Sequence, residues 1–127
     1  MHQHKTDFWA ILVVLTAFFW SCKPKDNGVV CTMEARAGLN ITVVDASNGK
    51  KLMDSIQVVA MDGVYTETLS AFDRNNPIFS GAYEREGNYT VVVSGARYKT
   101  VTKAGLNVTK DECHVIPQQV TIDLPTK

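Results

Sequence analysis

Apolar and polar residues alternate with a period of two through most of the chain after residue 37. The pattern is clearest in Gly87–Gly95, where Tyr89, Val91 and Val93 share one face and mostly polar residues, interrupted by Val92, form the other. A period of two is the spacing of side chains on one face of a β-strand. We therefore predict that this stretch is a core strand with one face buried and the other largely solvated.

Six further stretches have the same character and are bounded by turn residues, which is the pattern of strands. The second along the chain has apolar residues on both faces and is predicted to be central. The fourth follows Pro77, which lacks an amide proton, and is predicted to be peripheral. The six stretches are residues 38–45, 55–61, 64–69, 78–84, 98–103 with an extension or restart at 106–109, and 118–124.

Nowhere do apolar residues recur three to four positions apart over a helical length. Short strands at regular spacing, separated by turns such as Asn48-Gly49 and Asp62-Gly63, predict an all-β protein. We expect a seven-stranded antiparallel β-sandwich. With no internal repeat or linker in residues 38–124, the sequence predicts a single domain over residues 38–127.

An unbroken apolar run occupies residues 8–20. As a helix it would be about 20 Å long, which is shorter than the roughly 30 Å hydrocarbon core of a bilayer. The length suits the hydrophobic core of a signal peptide, which we predict for residues 1–21. An uncleaved membrane anchor remains the alternative.

The run is followed by Ser21 and Cys22, a small residue before a cysteine, which resembles the lipobox of bacterial lipoproteins. The resemblance implies that the Cys22 thiol carries the lipid and that Cys22 begins the mature chain. Acyl chains hold a domain durably to a membrane. We therefore expect an exported protein attached to a bacterial membrane, the outer membrane in particular, facing the periplasm or the cell surface. Residues 22–37 are polar and turn-rich at their start and are predicted to be a tether.

Two cysteines remain once Cys22 is lipidated. In an exported protein Cys31 and Cys113 are expected to form a disulfide, which would contribute about 2–4 kcal/mol. The alternative is a metal site made by Cys31, Cys113 and His114. It is weaker, because adjacent residues in a strand face opposite ways and no second histidine completes a coordination shell. We predict neither a metal nor a cofactor.

Charge and motifs restrict the function further. Acidic and basic residues number thirteen each, which provides no basic footprint for nucleic acid. Lys99, Lys103 and Lys110 are predicted to be a solvated edge. His114 is the one histidine beyond the signal peptide, and without a nucleophile motif it is predicted to cap its local turn. Glu84, Arg85 and Glu86 are interpreted as solvated hairpin charges, so no enzymatic activity is predicted.

Together these elements resemble the carboxypeptidase regulatory-like domain. The family has a transthyretin-like (prealbumin-like) fold, so the resemblance implies a Greek-key β-sandwich and an accessory or binding role without catalytic residues. The matching features are the strand at 39–45 with Asn48-Gly49, the strand at 55–61 with Asp62-Gly63, the core positions Gly87, Tyr89, Val91 and Val93, the later Tyr98, and Cys113-His114 before the last strand.

The sequence therefore predicts a lipid-anchored, non-catalytic module with a binding or structural role in the cell envelope. An envelope protein or a glycan is the expected partner. Carbohydrate binding through the aromatic residues Tyr65 and Tyr83 is the alternative function, since such rings stack on sugars or anchor protein partners. Tyr98 is a third candidate for ligand contact. The competing interpretation is that these rings close the ends of the core.

Overall fold

The structure of the protein is a computed structural model that describes residues 28–127. The predicted signal peptide and the predicted lipidation site Cys22 lie outside the described residues. Within them every regular element is a β-strand. The seven strands are β1 (Ala37–Asp45), β2 (Ile56–Asp62), β3 (Tyr65–Thr68), β4 (Phe79–Tyr83), β5 (Gly87–Gly95), β6 (Tyr98–Val108) and β7 (Gln118–Leu124).

The strands form a three-stranded sheet, in the order β4-β1-β7, and a four-stranded sheet, in the order β3-β2-β5-β6. β2 lies inside its sheet and β4 at an edge, so both predictions are confirmed. The expectation of a wholly antiparallel structure is wrong, because β1 and β7 pair in parallel, with Leu39 opposite Gln118. β6 ends at Val108, opposite Gly87, so the chain enters β7 near the end at which β1 begins. Side-chain alternation carries no information on strand direction, which is why the sequence pattern missed this.

One hydrophobic core joins the two sheets. Tyr89, Val91 and Val93 of β5 are fully buried, as predicted, and the alternate residues of β1 are equally buried. The result is an all-β, β-sandwich-like body in which each sheet presents one apolar face to the other. Its other buried apolar residues are Leu39, Ile41, Val43, Val58, Ala60, Leu69, Phe79, Ala82, Leu106, Val108, Val115, Ile122 and Leu124.

The sequence predicted a strand at residues 98–103 that is either extended or restarted at residues 106–109. In the structure both stretches belong to one continuous strand, β6. Gly105 has φ +74°, and the pairing of β5 with β6 shifts register between Tyr89 and Val91. Such a bulge bends a strand without ending it, and glycine supports the positive φ at no steric cost. Positive φ at Gly49 and Gly63 confirms the two predicted tight turns.

Both open sides between the sheets are partly closed. On one side Ser70, which follows β3, forms an isolated bridge with Ser80 of β4, so the edges of the two sheets are joined there. On the other the C-terminal residues lie along β6, where Lys99 N donates to Pro125 O at 2.8 Å and Lys127 N to Arg97 O at 3.0 Å. Exposed Lys99 and Lys103 lie on β6, an edge strand, so the prediction of a solvated lysine edge is confirmed for these two.

Tyr89→Phe should reduce stability although it leaves the apolar ring in place. The Tyr89 hydroxyl donates to the carbonyl oxygen of Arg85 at 3.0 Å and accepts from Arg85 Nη1 at 2.8 Å. Leaving partly buried groups without these bonds is expected to cost about 1–2 kcal/mol. Urea unfolding measures this, with Tyr83→Phe as the exposed control. An equal loss in both variants would contradict the assignment.

Candidate functional site

Two grooves lie at opposite ends of the body. The disulfide groove has a volume of about 400 Å³ and is lined by Val29, Val30, Thr32, Arg36, Asp111, Glu112, Cys113 and His114. The Tyr98 groove has a volume of about 240 Å³ and is lined by Leu52, Asp54, Ser55, Ile56, Ala96, Arg97 and Tyr98. β1 begins near the first and ends near the second, so they are separated by about 27 Å, the length of a nine-residue strand.

The predicted disulfide is present between Cys31 and Cys113, which are 82 positions apart in sequence and have their Cα atoms 5.2 Å apart. It joins the segment that precedes β1 to the loop between β6 and β7. Residues 28–36 of the predicted tether are therefore fastened to the body. Because both thiols are used, the alternative metal site with His114 has lost two of its three ligands.

Glu84, in the turn between β4 and β5, also binds both of these segments. Its Oε1 accepts from the backbone N of Arg36 at 2.8 Å and from Nδ1 of His114 at 2.7 Å, and its Oε2 accepts from the backbone N of Val115 at 3.1 Å. We call these contacts the Glu84 clasp. The interpretation of Glu84 as a solvated hairpin charge is wrong. No local sequence signal marks the clasp, because its partners lie 30 to 48 positions away.

The hydrogen bonds of the clasp favour the ionised carboxylate and lower the pKa of Glu84. The backbone bond from Arg36 lowers the pKa most, and the bonds from His114 and Val115 lower it further. Partial burial acts in the opposite direction and raises the pKa. Glu84 itself has φ +51°, an unfavourable conformation for a residue with a side chain. The surrounding bonds therefore hold the turn in a shape that its own backbone disfavours.

His114 is 7% exposed, and its ring bridges distant parts of the chain. Besides the bond to Glu84, its Nε2 lies 3.0 Å from Oγ1 of Thr32. The prediction that His114 merely caps its own turn is therefore wrong. A hydroxyl, imidazole and carboxylate in this order also form catalytic triads. Here Asp111 and Glu112 line the groove and would oppose the negative charge that develops in acyl transfer, so the geometry favours a structural role.

Arg85 contacts the aromatic rings of Tyr65 and Tyr89 at the end of the body that carries the disulfide groove. Its guanidinium lies 3.7 Å from the centre of the Tyr65 ring and forms an ion pair with Asp62 at 3.0 Å. The Tyr65 ring meets Tyr89 edge to face at 6.3 Å, and its hydroxyl donates to Glu67 at 2.9 Å. Arg85, interpreted from sequence as a solvated charge, is instead part of the core boundary. One face of Tyr65 is covered, so a sugar stacking there would have to displace the guanidinium.

The other two aromatic candidates differ from Tyr65. Tyr83 ends the edge strand β4 and is 51% exposed. Tyr98 lines the groove at the opposite end, where its hydroxyl donates to Asp45 at 2.9 Å. The structure therefore does not bring the three rings into one surface.

Asp45 fixes the position of Tyr98. The hydroxyl and backbone N of Ser47 donate to this carboxylate, and together with Tyr98 they lower the pKa of Asp45, with the Ser47 hydroxyl contributing most. The bond to Asp45 in turn raises the pKa of the Tyr98 hydroxyl. Ser55, on the groove wall, has φ +60°, which a residue with a side chain rarely adopts.

The Tyr98 groove can offer a ligand an aromatic ring, the Arg97 guanidinium and the Asp54 carboxylate. Asp54 forms an exposed ion pair with Arg74 at 3.2 Å. A few polar groups around an apolar wall are typical of binding sites. These groups can contact a ligand by stacking, by hydrogen bonding and by charge.

Within residues 28–127, no helix is long and apolar enough to cross a membrane. No group of three or more His, Cys, Asp or Glu side chains in that part of the chain is arranged to hold a metal ion. Comparison with known proteins finds no match, either among protein-family models or among curated proteins.

Acid should weaken the Glu84 clasp. A carboxylate whose pKa is lowered by folding contributes stability above its unfolded pKa, about 4.3 for glutamate, and this is lost as pH falls through the folded value. We expect Glu84→Gln to flatten the fall in stability between about pH 5 and pH 3, measured by thermal unfolding. Glu86→Gln in the same turn is the control. If both variants keep the slope of the unmodified protein, the clasp carries no pH-dependent stability.

Proposed function

We propose that the protein is an exported, lipid-anchored and non-catalytic β-sandwich module that binds a partner in the cell envelope. The observation that carries the proposal is the arrangement of its two ends. One end is fastened to the segment that leads back to Cys22, and the other carries the Tyr98 groove. A module that is anchored at one end and carries a separate groove at the opposite end is suited to presenting a binding site away from a membrane.

The disulfide supports the exported location. Cys31 and Cys113 are joined within a small domain, and such bonds persist in oxidising compartments such as the bacterial periplasm and the cell surface. The apolar run at residues 8–20 supplies the matching export signal, and Cys22 the attachment point. Outer-membrane attachment facing the periplasm or the surface is part of the proposal.

Membership of the carboxypeptidase regulatory-like family also remains a proposal. Seven strands in sheets of three and four around one core support a Greek-key, transthyretin-like sandwich. The role that such a resemblance implies is accessory binding, which agrees with the recognition chemistry of the Tyr98 groove. Fold alone does not assign a ligand.

Carbohydrate binding through exposed aromatic residues is the second candidate function. Tyr83 favours it, because half of its side chain is exposed at the end of an edge strand. Tyr65 favours it less, because Arg85 occupies one face of its ring. In this version Tyr83 would be the main stacking residue, and Tyr83→Ala would abolish glycan binding.

Cys22→Ser tests the anchor. Without the thiol no lipid can be attached, so we expect the variant, once residues 1–21 are cleaved, to leave the membrane fraction, whereas the unmodified protein pellets with it. Metabolic labelling with a fatty acid gives the same answer independently. A variant that is still labelled and still pellets would refute lipidation at Cys22.

A photo-crosslinking side chain in place of Arg97 tests the groove. In intact cells we expect covalent adducts from this position, whose side chain lines the groove, and none from the same substitution at exposed Thr121 on the outer face of β7. Mass spectrometry of the adduct distinguishes a protein from a glycan. No adduct at position 97, or equal adducts at both positions, would contradict a binding role for this groove.

A further inference from the structure

The large apolar side chains that remain exposed in residues 28–127 are concentrated at one end of the body. Six of the seven lie at the end that carries the disulfide groove, which we call the disulfide end. Phe72, in the loop between β3 and β4, is the exception. The six are Val29, Val30, Met33, Val64, Tyr83 and Ile116.

Three of the six belong to the segment before β1. Val29 and Val30 line the disulfide groove with Cys113. Met33 follows Thr32, which contacts His114. Val30 is 90% exposed and Met33 fully exposed, although the disulfide holds this segment against the body.

The other three come from three separate segments that end at or pass through the same end of the body. Tyr83 is opposite Ala37, the first residue of β1. Ile116 follows Val115, whose backbone N is bound by Glu84. Val64 lies in the turn after Asp62, the residue that forms the ion pair with Arg85. The Val64 side chain is fully exposed. Four segments that are distant in sequence thus present apolar side chains at one end.

Grouped exposed apolar side chains usually mark a surface that something covers. The sequence places the proposed membrane attachment close to this surface. Only residues 23–27 separate Gly28 from Cys22, and the six residue-to-residue steps between them span at most about 21 Å when fully extended. A lipid on Cys22, or an uncleaved anchor at residues 8–20, would hold the disulfide end close to the bilayer.

We propose that the disulfide end lies against the lipid surface, with Val64 and the neighbouring apolar side chains in the headgroup region. This inference rests on the proposed membrane attachment and adds an orientation to it. The Tyr98 groove then faces away from the membrane, about 27 Å further out along β1.

Charge at this end restricts the kind of lipid surface. Among the described residues at this end carboxylates outnumber cations, so anionic headgroups would repel it and zwitterionic headgroups would accept it. Apolar contact, rather than electrostatic attraction, would hold it in place. The described carboxylates are Glu34, Asp62, Glu67, Glu84, Glu86, Asp111 and Glu112, and the described cations are Arg36, Arg85 and Lys110.

Tryptophan fluorescence of the full chain tests the orientation. The protein is purified from the membrane fraction and reconstituted in phosphatidylcholine vesicles with brominated acyl chains, which quench tryptophan at short range. Val64→Trp reports on the disulfide end, and Phe72→Trp is the matched control at another largely exposed position. Trp9 and Trp20 lie in the predicted signal peptide, so the chain that begins at Cys22 has no other tryptophan, and the unmodified protein is measured as the background.

We expect the brominated lipid to quench Val64→Trp at least about twofold more than Phe72→Trp, since only the former would reach the interface. Replacing part of the phosphatidylcholine by an anionic lipid should reduce this difference. Equal quenching at both positions overturns the orientation. Protection of Val64→Trp from iodide without quenching by lipid also overturns it and assigns a protein, or a second copy of this chain, to this end. Failure to incorporate into vesicles contradicts membrane attachment itself, which separates the two proposals.

Discussion

The carboxylate of Glu84 accepts hydrogen bonds from three groups that are far apart in sequence: the backbone N of Arg36, the His114 ring and the backbone N of Val115. With the Cys31 disulfide, these bonds hold the segment before β1 on the body. Charge-assisted hydrogen bonds are stronger than neutral ones, and here they also support a backbone conformation that is unfavourable for glutamate. The position at which the N-terminal segment leaves the body depends on this clasp.

That position gives the protein two unlike ends. At the disulfide end Arg85 forms an ion pair with Asp62, while apolar side chains such as Val64 stay exposed. At the other end Tyr98 is fixed by Asp45 beside a groove with the chemistry of a binding site. Under the proposed function, the disulfide end would attach the module to the membrane and the Tyr98 groove would bind the ligand.

The strands and their inward faces were predictable because alternation is a local property of the sequence. It assigned Tyr89 to the core correctly, and cysteine parity predicted the bond to Cys113. The parallel pairing of β1 with β7 was not predictable, because direction within a sheet depends on how the whole chain is connected. Glu84 and Arg85 were misassigned for a related reason: a charged turn has the same local sequence whether it faces water or meets a distant histidine or an aromatic ring.

Amide hydrogen exchange tests the clasp most directly. The backbone N–H groups of Arg36 and Val115 lie outside every strand, and in the native protein their partner is the Glu84 carboxylate. The account predicts that both exchange as slowly as amides within the sheets and that Glu84→Ala accelerates both together. Exchange at the rate of an unstructured peptide in the unmodified protein, at either amide, would contradict it.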